Sequence, residues 1–149
     1  MRIIDRIHQL LAQGEDSFHL EGEGLAQPII DPRDVDIRRE LERLRSSGPS
    51  FLALVASNGS YVQAAGNAKR MTTEAHLVTS KRTAHVVLGR HGAPGAATTV
   101  ISSSGSIVIR ASEVWSALEA ADLFSAFAAT AVIPPILNQR DITADIALA

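Results

Sequence analysis

Residues Phe51–Gly66 read FLALVA, SNGS, YVQAAG: an unbroken apolar segment, an Asn-Gly turn and an alternating return. Asn-Gly between two such segments is a strong hairpin signal, because both residues tolerate the positive φ that tight hairpin turns require. The first strand is apolar at every position, so both its faces must be covered, which makes it a central strand rather than an edge. With Asn58-Gly59 as a two-residue turn, Leu54 lies opposite Gln63 and Ala56 opposite Tyr61. That register places Leu52, Leu54, Ala56, Tyr61, Gln63 and Ala65 on one face, and Ala53, Val55, Val62 and Ala64 on the other.

Two further strands are expected at 70–80 and 83–91, joined through Ser80-Lys81-Arg82-Thr83. A loop of two or four residues sets Val78 opposite His85 and His76 opposite Val87, so that Glu74, His76, Val78, His85 and Val87 share a face. The other face, with Ala75, Leu77, Thr79, Ala84, Val86 and Leu88, is more apolar and should meet the core. After a loop at His91–Ala96, segments 98–103 and 106–110 read as a third hairpin around Ser104-Gly105.

Helices are expected on both sides of these strands. Ile3, Ile4, Ile7, Leu10 and Leu11 fall at helical spacing over 2–13, and Ile37, Leu41 and Leu44 do so over 34–46, where Gly48-Pro49 follows. The second helix interleaves Arg38, Arg39, Arg43 and Arg45 with Asp34, Asp36, Glu40 and Glu42, a mixed pattern that reads as a solvated exterior rather than a docking surface for an acidic partner. Ser112 can cap a helix from Glu113, with Val114, Leu118 and Ala121 facing inward and Leu123, Phe124, Phe127 and Val132 continuing the surface to Pro134-Pro135. Residues 14–32 read as a loop with a short extended piece at 27–30, and 138–149 as a tail. Together these make one α+β domain over 1–149: about six strands in a mainly antiparallel meander, with N-terminal and C-terminal helices packed on it.

Composition narrows the function classes. Cysteine is absent from the 149 residues, which removes disulfides and thiolate zinc sites and suits a reducing compartment. A formal charge of −2 and a pI near 6.2 provide no basic field for nucleic acid. Ala126–Leu137 falls short of the roughly 18 apolar residues of a spanning helix, and Asp5, Arg6 and His8 interrupt the apolar core a signal peptide needs. No membrane association is therefore expected, and a cytoplasmic location is. Aromatic residues are only 4% of the chain, so the core must be Val, Ile, Leu and Ala in closely packed elements.

Among candidate chemical groups, Glu74, His76 and His85, with His91 nearby, have the residue types for a metal site or an acid–base pair. Diagonal neighbours on paired strands stand ~7–8 Å apart, however, and the spacing matches no compact zinc motif. His91–Ala96 lacks the Lys-Ser/Thr of a phosphate loop, and the serines at 102–106 lack a nucleophile elbow. Tyr61 and Gln63 could orient a small ligand beneath the sheet, or Tyr61 could pack on Leu54 or Ala56 while Gln63 satisfies a backbone group. Trp115 reads as a helix-to-sheet packing residue. No catalytic residue, metal or cofactor is expected.

The run Gly59-Ser60-Tyr61-Val62-Gln63-Ala64-Ala65-Gly66, followed by Arg70-Met71-Thr72-Thr73-Glu74, resembles a segment of small immunity proteins that accompany bacterial polymorphic toxins. In that family a strand and a G-x-Y-[VI]-Q-A-A-G run precede a strand beginning near a glutamate. Glu113–Phe127, Ile133-Pro134 and Arg140-Asp141-Ile142-Thr143 are similar to the family's C-terminal helical part, so the resemblance spans about residues 50–143. It implies an antiparallel sheet with flanking helices, no shared catalytic residues, and a cognate toxin as partner. The expected function is a non-enzymatic protein-binding domain, with Glu74, His76, His85, Arg90 and His91 as candidate contacts and the acidic 15–24 segment as a second. The alternatives are a small-molecule-binding or enzymatic domain with a pocket near Tyr61 and Gln63, and a self-assembling structural subunit, a homo-oligomer, that uses a sheet edge.

Overall fold

The computed structural model describes residues 17–147, so the helix expected over 2–13 lies outside the described residues. In chain order the elements are β1 (Phe18–Gly22), β2 (Ile29–Ile30), α1 (Asp34–Glu42), β3 (Phe51–Ala56), β4 (Tyr61–Asn67), β5 (Arg70–Val78) and β6 (Thr83–Gly89). There follow β7 (Ala97–Ser102), β8 (Gly105–Arg110), a 3-10 turn (Ala111–Glu113), α2 (Ala117–Thr130), β9 (Asn138–Asp141) and α3 (Thr143–Ala147). Seven strands form one antiparallel sheet in the order β2-β1-β3-β4-β5-β6-β9, and β7-β8 form a second, two-stranded sheet. The fold is α+β, with helices packed on an antiparallel sheet. Among the described residues no helix is long and apolar enough to cross a membrane.

β3 sits between β1 and β4, and Leu52 through Ala56 are all buried, as its continuous apolar run requires. One face of the sheet carries Leu20, Leu52, Leu54, Val62, Ala64, Met71, Ala75 and Leu88 into a core closed by Ile37 and Leu41 of α1 and Leu123, Phe124 and Phe127 of α2. Phe18 and Phe127 meet edge to face at 5.5 Å. α1 and α2 pack on each other, and the small residues Ala117, Ala120 and Ala121 let α2 lie close against its neighbours. The arginines of α1 pair within their own helix, Arg38 with Glu42, Arg39 with Asp36 and Glu40, and Arg43 with Glu40.

The β3–β4 register differs from the expected one by one residue: Leu54 pairs with Val62 and Val55 with Tyr61. The turn holds three residues, Ser57 to Gly59, because the Ala56 N–H donates to the Ser60 carbonyl at 2.8 Å and Gly59 takes a φ of +92°. This is the three-residue hairpin loop with a left-handed glycine, and one residue of slip turns the whole strand over. Val62 and Ala64 therefore join Leu52 and Leu54 in the core. Tyr61, Gln63 and Ala65 lie with Phe51, Ala53 and Val55 on the opposite face.

The β5–β6 register is displaced by two, so that His76 pairs with His85 and Val78 with Thr83. The loop is Thr79–Arg82, closed by the Thr79 N–H donating to the Arg82 carbonyl at 2.9 Å and the Arg82 N–H donating to Thr79 Oγ1 at 3.1 Å. An even displacement leaves every side chain on its expected face. The two histidines become direct rather than diagonal neighbours.

Other differences have equally local causes. Phe18–Gly22, expected as loop, is a strand because it completes the edge of β3, from Phe18 opposite Ala56 to Gly22 opposite Leu52. Asn138–Asp141, expected as tail, pairs with β6 although it has no apolar period of its own. With that edge occupied, the β7–β8 hairpin does not extend the main sheet. It turns onto the sheet's second face, where Val100 and Ile109 bury against Val87 with Ile107, Val114 and Ile142 around them. The C-terminal helix starts after Ser116 rather than Ser112: Ser116 Oγ accepts the Glu119 N–H at 3.3 Å and Glu119 accepts the Ser116 N–H at 3.0 Å, a reciprocal capping box. Trp115 consequently precedes the helix, exchanging two 2.9 Å backbone bonds with Met71 and donating its Nε1–H to the Leu88 carbonyl at 2.9 Å. Leu118 and Val132, expected to face inward, are exposed.

Candidate functional site

Opposite the helices, two adjacent rows of side chains run across the main sheet. Ile30, His19, Val55, Tyr61, His76 and His85 are successive cross-strand partners in one row. Glu21, Ala53, Gln63, Glu74, Val87 and Arg140 make the next. Directly opposed residues on antiparallel strands have Cβ atoms ~4.5–5.5 Å apart, so polar residues placed this way must interact.

They do so through hydrogen bonds, ion pairs and ring contacts. Gln63 Nε2 donates to Glu74 Oε2 at 2.7 Å. Glu74 Oε1 stands 3.6 Å from His85 Nε2, and the Nδ1 atoms of His85 and His76 are 3.1 Å apart. The Tyr61 ring stacks on His76 with centroids 4.8 Å apart and planes inclined by 14°. At the near end His19 Nε2 meets Glu21 Oε2 at 3.1 Å. At the far end Arg140 donates to both oxygens of the buried Glu113 at 2.8 and 2.9 Å, while Glu113 also accepts the Arg110 N–H at 2.7 Å. His85 is buried, and Tyr61, Gln63, Glu74 and His76 are half-buried.

The electrostatics follow from this packing. Burial pushes the Glu74 carboxyl up, but the adjacent His85 imidazole, the Gln63 hydrogen bond and the charge of Arg140 together outweigh it and hold the group below its usual value. Burial, and then the neighbouring His85, push His76 down. Burial, with the carboxylates of Glu74 and Glu21, raises the Tyr61 phenol. The hydrogen bonds to Glu113 raise Arg140 and keep it cationic. The patch thus holds an ionised carboxylate, a neutral outer imidazole and a neutral phenol near pH 7.

Glu74, His76, His85, Tyr61 and Gln63 are brought together, although the expected register set Tyr61 and Gln63 beside Leu54. Tyr61 packs on His76 rather than on Leu54 or Ala56, and Gln63 serves a carboxylate rather than a backbone group. Arg90 and His91 lie elsewhere. Arg90 follows the end of β6, five residues and roughly 17 Å along from His85. Its guanidinium lies 5.4 Å from the Trp115 ring centroid and 3.7 Å from Glu119. That corner borders an open groove of about 310 Å³ lined by Trp115, Glu119, Asp122, Leu123, Ala126, Pro134 and Leu137. The acidic 15–24 segment divides: Glu21 joins the patch, while Glu23 accepts from Ser103 Oγ at 3.1 Å and tethers the β7–β8 tip.

His19, Glu113 and Arg140 escaped the sequence reading, and Glu21 entered it only as part of the acidic 15–24 segment. The alternation Phe18-His19-Leu20-Glu21 was a strand signal of period two that the surrounding acids and glycines obscured. Nothing local marks Arg140, whose role depends on β9 pairing with β6. Among the described residues no three of His, Asp or Glu are arranged to hold a metal ion. In comparisons with known protein families, curated proteins and solved structures, the chain matches none.

Proposed function

We propose that this protein is a non-enzymatic, cytoplasmic protein-binding domain, an immunity protein that neutralises a cognate bacterial toxin through the face bearing Tyr61, Gln63, Glu74 and His76. One observation carries the reading: Tyr61, Gln63 and Glu74, the side chains of the segment that resembles immunity proteins, lie together on one face, joined by the 2.7 Å Gln63–Glu74 bond. An inhibitor works by a complementary, preorganised surface with a few aromatic anchors, and the Tyr61–His76 stack has that character.

The test is co-expression with the product of a neighbouring toxin-like gene. Protection of the host, a stoichiometric complex by light scattering, and at least a roughly tenfold loss of affinity in Tyr61→Ala, the scale of an interface anchor, support the reading. A neighbouring product that neither binds nor is neutralised overturns it. Self-assembly has one observation in its favour, the exposed Ile101 and Val108 on the outer side of β7–β8. A monomer mass at high protein concentration removes that alternative.

A further inference from the structure

We infer that Glu74, His85 and His76 form a relay that fixes the imidazole tautomers, so that His76 Nε2 is a bare hydrogen-bond acceptor fitted to an arginine or lysine side chain of the protein partner. The identity of the ligand's carrier rests on the protein-binding reading above; the relay does not.

The Nδ1 atoms of His76 and His85 face each other 3.1 Å apart. Between two neutral rings, one nitrogen must carry hydrogen and the other a lone pair. Glu74 decides which. An ionised carboxylate only accepts, and its Oε1 faces His85 Nε2 at 3.6 Å. That nitrogen is buried and has no hydrogen-bond partner. The separation is longer than a hydrogen bond, so the selection comes from the sign of the field: negative charge beside Nε2 favours hydrogen there. His85 is then bare at Nδ1 and accepts from His76 Nδ1–H, which leaves the lone pair of His76 on Nε2. Among the described residues that nitrogen has no hydrogen-bond partner, and it is not among the buried polar atoms.

Charge selects the ligand class. The titratable groups around the relay are His19 and Glu21 from β1, Tyr61 from β4 and Arg140 from β9, with Glu113 from the 3-10 turn and Asp145 from α3 acting on Arg140. The only guanidinium in this set is engaged by Glu113 through two hydrogen bonds. Carboxylates outnumber it, and the neutral outer imidazole adds an acceptor rather than a charge. The stacked rings of Tyr61 and His76 provide an aromatic surface on which a guanidinium or ammonium group is attracted within ~6 Å.

Two measurements on the full chain test the inference. Long-range proton–nitrogen correlation of the histidine rings at neutral pH should find the bare nitrogen at Nε2 of His76 and at Nδ1 of His85. Glu74→Gln, whose amide both donates and accepts, should mix these tautomers. Titration with Nα-acetyl-arginine amide should shift the His76 and Tyr61 resonances with an affinity roughly threefold to fivefold higher than that of its neutral citrulline counterpart, an exposed cation–π contribution. A bare Nδ1 on His76, or equal binding of arginine and citrulline probes, overturns the inference, and both readouts exist in the unmutated protein if Glu74→Gln fails to fold. A toxin that binds the wild-type chain and His76→Ala equally overturns the inference and leaves the immunity reading standing. Arginine-selective binding without any effect on the neighbouring toxin overturns only the immunity reading.

Discussion

The two faces of the seven-stranded sheet come from the same alternating strands and differ in what covers them. Toward the helices, Leu20, Leu54, Val62, Ala75 and Leu88 meet Phe124 and Phe127 in one continuous core. On the other side, the hairpin covers only a small cluster around Val87, Val100 and Ile109. Polar ties supplement that cluster: Ser50 accepts the Ser103 N–H at 2.9 Å, and Arg70 donates to the Thr99 carbonyl at 2.9 Å. The remainder of this face is the polar patch from His19 to Arg140. Fold stability and specific polar chemistry are thereby segregated, since apolar burial is the dominant favourable term in folding and a large core provides most of it. The second face tolerates paired histidines and carboxylates because the first holds the sheet.

Cavities on each side separate the contributions of the two faces most directly. Phe124→Ala, at a fully buried position, should cost about 3–5 kcal/mol, against about 2 kcal/mol for Val100→Ala in the smaller cluster. Urea unfolding of the two variants measures this, and equal losses would mean that the faces share one core. The junction between the faces comes next. Gly66 has a φ of +133°, and a Cβ there would stand 2.5 Å from the Arg70 carbonyl and 2.6 Å from Val100 Cγ1. Gly66→Ala should therefore cost about 1–3 kcal/mol by backbone strain and displace the Val100 methyl resonances. Unchanged resonances would show that the hairpin does not depend on this close approach.

Glu113→Gln probes the polar side alone. The buried carboxylate serves the Arg110 N–H and the Arg140 guanidinium, and the amide keeps a single acceptor oxygen. A loss of about 1–2 kcal/mol is expected, toward the lower part of the range for charged hydrogen bonds because Arg140 is partly exposed. The smallest effect is that of pH. His76 titrates below its ordinary 6.5, so the unfolded chain binds a proton more readily than the folded one. Stability should be unaffected by this group above pH 6.5 and should fall as pH decreases from there through its lowered value. Glu74, held below its ordinary 4.5, adds a further loss as pH falls below that value. His76→Gln should flatten the upper part of the stability curve and leave the lower part. An unchanged upper part would exclude His76 as its source.

Much of the sheet was legible because alternation is a local property. β4, β5 and β6 carry an alternation and β3 an unbroken apolar run, and Glu74, His76, His85 and Val87 share a face under either even-numbered loop. The position of Tyr61 and Gln63 was not legible in the same way. It turned on a single residue of loop length, which the left-handed Gly59 settled. β1 was missed because acids and glycines surround its short alternation, and β9 because Asn138–Asp141 contains no apolar residue; their backbones become strands by completing edges that only the assembled sheet presents.

By itself, then, the sequence determined the fold class, the central place of Phe51–Ala56 and the faces of β5 and β6, since these follow from side-chain period and turn composition along a continuous stretch. Only the tertiary structure decided that Tyr61 lies against His76, that His76 faces His85 directly, and that Glu21 and Arg140 end the same row. Those relations join residues from five different strands. Their geometry depends on loop closure and edge pairing, where one residue of register costs little locally but reverses which side chains meet.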